Sequence, residues 1–290
     1  MRPALFFIRL YCLSLHNDKQ MSVSHFIEYK NSRLFYSKNG SGPKSLLLFH
    51  GFGQTHEIFD SWNKSLSDIY TLYSFDAFFH GQSQWKSSDT ALEKEDWKSI
   101  IELFLKTNSI QRFSLCGFSM GGKFVLATLE AFPANIDEIF LLAPDGIKTS
   151  FWYSLATYPI AFRNLFKSMI DHPERFYTIA HFVNKIGLID KGILRFVESQ
   201  MDTHEKRERV YSSWVTFRHF KFNMTEVAKI INAHHIKVTM IVGKYDKIIT
   251  VQNMKLLLDK LPSHQLKILD TGHNGIIDAS GSLIGLSNQN

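Results

Sequence analysis

The sequence predicts an α/β protein: a mostly parallel sheet with helices on both faces, interrupted late by a helical insertion. Three observations predict it. Runs that are apolar at nearly every position, such as Ser45-Leu46-Leu47-Leu48-Phe49, read as strands buried on both faces. Segments of helical periodicity alternate with those runs. The alternation then stops between about residues 149 and 225, where the pattern is helical and rich in aromatic side chains.

Each element follows in order. Residues 1–15 are apolar with Arg2 in front, in the manner of a secretory leader. Arg9 interrupts the stretch, however, and no small-residue cleavage site follows. Residues 1–20 are therefore expected to be a disordered leader or an over-extended start. Two β-like runs, 25–29 and 33–36, join near Asn31-Ser32, and Asn39-Gly40-Ser41-Gly42-Pro43 closes this hairpin. Strands are predicted at 45–49 and 69–75. Trp97, Ile100, Ile101 and Phe104 recur at helical spacing, which predicts an amphipathic helix over 91–107. A strand at 112–116, a helix over 119–132 and a strand at 137–142 come next. Beyond the insertion, 236–242 is another buried strand. Val251, Met254, Leu257, Leu258 and Leu261 form a helix stripe that Pro262 stops, and 265–269 is the last strand. The core is thus expected over 21–148 and 226–290, with 149–225 as a helical insertion.

The 290 residues are 44% hydrophobic and 21% charged, ample for a large core. The formal charge of +6 does not indicate a nucleic-acid partner, because Lys and Arg are interspersed with acids. His204-Glu205-Lys206-Arg207-Glu208-Arg209, for example, reads as a solvated helix face. Cys12 and Cys116 cannot build a disulfide framework, and no Cys/His cluster suggests a metal. Cys116 lies in an apolar run and reads as a small buried hydrophobe, which points to a reducing, cytoplasmic setting. No apolar run is long enough to span a bilayer. Most of the insertion's aromatics are expected to form its own small core, and the rest to roof an apolar pocket.

The chemistry concentrates in Gly117-Phe118-Ser119-Met120-Gly121-Gly122, between an apolar strand and a helical pattern. A serine between glycines at such a turn sits on a strained tip with its hydroxyl exposed. The following helix turns its free N–H groups toward the site. A serine hydroxyl needs a base, and the base an orienting carboxylate. His273 stands just after the last predicted strand, on the sheet edge that Ser119 occupies. Asp246 follows the strand before it and can reach the same edge. Asp145, in Ala143-Pro144-Asp145, is a rival acid at the end of a neighbouring strand. Asp270 is a weaker third, being close to its strand. Oxyanion donors are expected from the backbone N–H groups of Met120 and Phe52, the latter in His50-Gly51-Phe52-Gly53-Gln54. The ring of His50 is expected to tie loops together rather than to act as a base.

With these residues in view, the chain from about Ser24 onward resembles the α/β-hydrolase superfamily, most of all its capped esterase, lipase and carbon–carbon-bond hydrolase branch. The motifs stand in that family's order: His50-Gly51-Phe52-Gly53, Asp76-Ala77-Phe78-Phe79-His80-Gly81-Gln82-Ser83, the serine turn, and Gly272-His273 preceded by Asp246. The resemblance implies an eight-stranded sheet with its first strands antiparallel, a helical cap after the sixth strand, and no cofactor or metal. Ser119 stands where similar haloalkane dehalogenases and epoxide hydrolases have aspartate, which sets those chemistries aside. Two departures are visible. Phe79 replaces a glycine of the family pattern, and the tail with Gly275, Gly281 and Gly285 is expected to form an irregular last helix or to mark a truncated chain.

The function expected is hydrolysis of a carboxylic ester or related acyl substrate with an apolar part, by Ser119, His273 and Asp246 through an acyl-enzyme. Three alternatives stay open. One is carbon–carbon or thioester hydrolysis on the same residues; a dione substrate there would need anchors such as Arg163 or His181 facing the site. Another is a non-catalytic small-molecule-binding member of the fold. The last is a membrane-surface role through residues 1–15.

Overall fold

The computed structural model describes residues 23–86, 90–189 and 191–287. The expected leader, its membrane-surface role and Cys12 lie outside the described residues. The sheet has eight strands in the order β1 (Val23–Tyr29), β2 (Ser32–Asn39), β4 (Tyr70–Phe75), β3 (Lys44–Phe49), β5 (Phe113–Phe118), β6 (Ile136–Leu142), β7 (Lys237–Gly243) and β8 (Gln265–Leu269). β1 pairs antiparallel with β2, and β2 with β4; every other pair is parallel. The β1–β2 turn places Lys30 and Asn31 at φ 43° and 64°, the left-handed pair that a two-residue hairpin requires. Central strands are buried on both faces, as their unbroken apolar runs require: every residue of β5 is buried.

The helices are α1 (Asn63–Leu66), α2 (Lys94–Thr107), α3 (Gly121–Ala131), α4 (Phe151–Thr157), α5 (Ile160–Ser168), α6 (Pro173–Lys185), α7 (Lys191–Ser199), α8 (His204–Thr216), α9 (Met224–Ala233), α10 (Val251–Leu258) and α11 (Ile276–Ser287). α2, α3, α9 and α10 pack in succession as one layer, while α1 and α11 pack together as another. A buried hydrogen bond from Trp97 Nε1 to Thr128 Oγ1, 2.9 Å, locks α2 to α3. The expected irregular tail is instead a regular helix, α11. Its glycines admit close packing rather than weaken it: a Cβ on Gly281 would lie 2.8 Å from Trp62 Cδ1. Trp62 in turn donates from Nε1 to the Ile277 carbonyl.

Helices α4 to α8 run between β6 and β7, where the alternation of the sequence stops. Phe166, Met169, Met201, Val210, Tyr211 and Val215 form a second, small core there. Phe217 and Phe220 leave it for the main core and pack on Phe124. The expected solvated face of α8 is interrupted by Arg207, which is buried. Its guanidinium donates to the carbonyls of Ile170 and Met201, just past the ends of α5 and α7. A lone arginine can be buried where it satisfies otherwise unpartnered carbonyls. No helix among the described residues is long and apolar enough to cross a membrane.

Candidate active site

Ser119 sits between β5 and α3 with φ 50°, a left-handed conformation that costs a non-glycine residue roughly 1–3 kcal/mol. The surrounding packing enforces it. The Ser119 N–H donates to Leu142 of β6, and its carbonyl accepts from the N–H of Gly122 and of Asp145. The turn tolerates no side chain two residues to either side. A Cβ on Gly121 would lie 2.0 Å from the Phe49 carbonyl oxygen, and one on Gly117 2.5 Å from that of Gly121.

His273 follows β8 and Asp246 follows β7, so both reach the sheet edge that carries Ser119. His273 Nε2 lies 3.0 Å from Ser119 Oγ, and Nδ1 lies 2.6 Å from Asp246 Oδ2. The other carboxylate oxygen accepts the N–H groups of Ile248 and Ile249 at 2.8 and 2.9 Å, which fixes the carboxylate plane. A carboxylate only accepts, so Nδ1 carries the proton and the Nε2 lone pair faces the serine hydroxyl. The Phe118 ring packs on the imidazole at 4.9 Å.

The structure does not bring Asp145 or Asp270 to His273. Asp145 Oδ2 pairs with Lys123 Nζ at 3.0 Å. Asp270 lies just beyond β8 rather than in it, exposed, 3.6 Å from Lys244. Phe52 and Met120 both line the cavity over Ser119. Among the described residues, neither of their backbone N–H groups donates to a protein acceptor.

Two buried histidines position the Phe52 loop. His50 Nε2 accepts the Ala77 N–H at 2.9 Å, while Nδ1 donates to the Gly51 carbonyl. His80 Nε2 accepts the Gly53 N–H at 3.0 Å, and Nδ1 donates to Phe78. Phe52 is thus bracketed by two tethered residues. Burial lowers His50 to about 4 and His80 to about 3, so both stay neutral and keep an acceptor nitrogen. Asp76 organises the same loops, accepting from His56 and from the Gln82 N–H. Burial raises its carboxyl, but these hydrogen bonds outweigh that and hold it below the ordinary value. Phe79, which replaces a glycine, takes φ 68°. The position needs the left-handed conformation, which is why glycine suits it, and Phe79 bears the strain.

Above Ser119 lies a cavity of about 1130 Å³, floored by the sheet edge and walled by the insertion. The expectation that most insertion aromatics form its own core is corrected here. Phe151, Trp152, Tyr153, Phe162, Phe166, Phe176, Trp214 and Phe217 all line the cavity. Arg163 and His181 do not line it; His181 is exposed beside Glu198. Phe196 and Lys123 also reach the cavity and were not picked out from the sequence. Lys123 is buried, and its ammonium stands 4.1 Å over the Tyr153 ring. Burial lowers its pKa, but the Asp145 charge and Tyr153 outweigh that and hold it above the ordinary lysine value. It lies four residues after Ser119 on α3, one turn along the same face, and that spacing was the available signal.

Residues 44–168 match the alpha/beta hydrolase fold family. A dihydrolipoyllysine-residue acetyltransferase component of the acetoin cleaving system from Cupriavidus necator is 27% identical over 124 residues, 42% of this chain and 32% of that protein. A pimeloyl-[acyl-carrier protein] methyl ester esterase from Nitrosomonas europaea is 26% identical over 145 residues, 48% of this chain and 54% of that protein. The matches thus span about a third to a half of the length of these curated relatives. A thermophilic esterase from Thermogutta terrifontis superposes with a TM-score of 0.65 over 92% of this chain and 97% of that one. At 16% identity, that likeness is one of fold.

Proposed function

We propose that this chain, a member of the α/β-hydrolase superfamily, hydrolyses a carboxylic ester carrying an apolar acyl or aryl part. The observation that carries the reading is the continuous relay from Ser119 Oγ through His273 to Asp246, at 3.0 and 2.6 Å. Ser119 Oγ attacks the ester carbonyl as His273 Nε2 takes its proton. Asp246 stabilises the imidazolium that forms. The free N–H groups of Phe52 and Met120 receive the oxyanion, a stabilisation worth about 10²–10³ in rate per donor. The tetrahedral intermediate collapses, His273 returns the proton to the leaving alcohol, and an acyl-enzyme remains. Water, deprotonated by the same imidazole, then releases the acid and restores Ser119.

Helices α4 to α8 act as a cap in this reading, and their aromatic wall receives the apolar part of the substrate. Dione cleavage loses support, because neither Arg163 nor His181 faces the cavity. Labelling by a fluorescent fluorophosphonate tests the proposal. Wild type is expected to label, and Ser119→Ala and His273→Ala to lose labelling while folded. A folded wild type that fails to label would overturn the hydrolase reading.

A further inference from the structure

The insertion keeps an unusual share of its apolar side chains outside. Ten of the seventeen large exposed hydrophobics among the described residues fall within 151–196. Phe151 is 70% exposed, Ile160 67% and Phe182 60%. Seven of the ten, Phe151, Phe162 and Phe196 among them, also line the cavity over Ser119. Apolar side chains thus extend from the exposed surface of the insertion into the lining of the cavity over Ser119. Patches of this kind on a protein surface mark interaction sites.

Charge indicates the partner. Residues 148–199 hold seven Lys and Arg against four Asp and Glu. Asp171, Glu174 and Glu198 each lie beside a histidine, at 3.2 to 3.5 Å. The cations Arg175, Lys185, Lys191 and Arg195 are exposed on the same helices as the apolar side chains. Along α6 and into its C-cap, Arg175, Ile179, Phe182 and Ile186 recur at intervals of four, three and four residues, which forms one stripe. Arg175, Ile179 and Leu165 line one shallow surface groove. Helices α4 to α7 have seven to thirteen residues, too short to span a bilayer but suited to lie along one.

We propose that the face formed by α4 to α7 docks on an anionic phospholipid surface, so that an acyl lipid enters the cavity directly from that surface. The docking stands on the exposed face alone; the delivery rests on the hydrolase reading. Apolar side chains enter the headgroup boundary while the flanking Lys and Arg meet anionic headgroups.

Vesicle flotation of the full chain carrying Ser119→Ala tests it without lipid turnover. Vesicles are phosphatidylcholine alone, or with about one third phosphatidylglycerol. Binding to the anionic vesicles is expected to be at least about tenfold stronger, and to weaken as salt rises. Adding Phe182→Asp and Ile186→Asp, neither of which lines the cavity, is expected to reduce binding about tenfold or more. In the chain with Ser119 intact, those two changes leave kcat/KM on a soluble short-chain p-nitrophenyl ester unchanged and lower turnover of a vesicle-borne ester. Absence of flotation overturns the proposal, as does flotation that the aspartates leave unchanged, which assigns binding to another segment. A dimer in sedimentation that the same aspartates dissociate also overturns it, making the face an interface between copies. Flotation with no esterase activity would sink the hydrolase reading and leave the docking intact.

Discussion

Helices α3 and α6 have similar lengths and opposite surroundings. α3 has eleven residues and buries nine of them, from Gly121 to Leu129. α6 has thirteen and buries Ala180 alone. The first is wedged between the sheet and its neighbouring helices, where every side chain is determined by contacts. The second belongs to a layer whose apolar residues face a cavity on one side and solvent on the other. The comparison separates two tasks within one chain. The sheet and α3 hold Ser119 in a conformation the backbone resists, which takes many contacts acting together. The insertion shapes a space, and a shaped space needs few internal contacts.

The comparison can be broken at either end. The largest effect is expected at the edge of the sheet. Ser119→Ala should lower kcat/KM on a p-nitrophenyl ester by about 10⁴-fold or more, and Asp246→Asn by about 10⁴-fold. Urea midpoints for Ser119→Ala should stay at or above wild type, because alanine removes only a hydroxyl from a strained turn. Retained activity in Asp246→Asn would return the acid's role to Asp145.

Next comes the core itself. Leu115 is fully buried in β5, and Leu115→Ala should cost about 2–5 kcal/mol in urea unfolding. A comparable loss on truncating an exposed α6 side chain would contradict the division of tasks.

Acid should weaken the core through its buried histidines. His50 and His80 have folded-state values near 4 and 3, below the ordinary 6.5. As pH falls, the unfolded chain therefore takes up protons first. Their contribution is full above about pH 6.5 and drains away toward about pH 4 for His50 and about pH 3 for His80, by about 1.4 kcal/mol per unit of displacement. His56 runs the opposite way. Burial lowers it, but the hydrogen bond and charge of Asp76 outweigh that and raise it. Its contribution is present below pH 6.5 and is lost as pH rises through the folded value. Urea midpoints between pH 7.5 and pH 4 check this, and His80→Asn should flatten the acid slope. An unchanged slope would place the titration elsewhere.

A smaller effect is expected where the two regions meet. Lys123→Met keeps the stem but removes the ion-pair partner of Asp145 and the cation over the Tyr153 ring, at an expected cost of about 1–3 kcal/mol. Asp145 is partly exposed, which keeps the loss at the lower end. The smallest effect is Ile186→Ala, 52% exposed, expected within about 0.5 kcal/mol of wild type.

Much of this was legible in the residues. Runs such as Leu46-Leu47-Leu48-Phe49 have no polar face and are short, with Gly42-Pro43 before them and Gly51 after, which marks interior strands, and the parallel sheet followed. Ser119 and His273 stood at strand ends, and strand ends of a parallel sheet share an edge. The choice between Asp246 and Asp145 was not legible, because both follow neighbouring strands. Only the packed structure shows Lys123 engaging one and His273 the other. Arg207 misled for a related reason: a charged run looks solvated until the carbonyls that can hold one of its members come from helix ends elsewhere in the chain. The C-terminal glycines misled because propensity knows nothing of Trp62.

By itself, then, the sequence determined the sheet, the order of its elements, and the placing of Ser119 and His273 at one sheet edge, since hydrophobic period and turn chemistry are local properties that any window of the chain displays. The tertiary structure alone decided which carboxylate meets the imidazole, which aromatics face the cavity, and that one face of the insertion stays apolar and open. Those outcomes depend on distances between residues 27 to 154 positions apart, and no local pattern encodes which of several similar side chains will arrive.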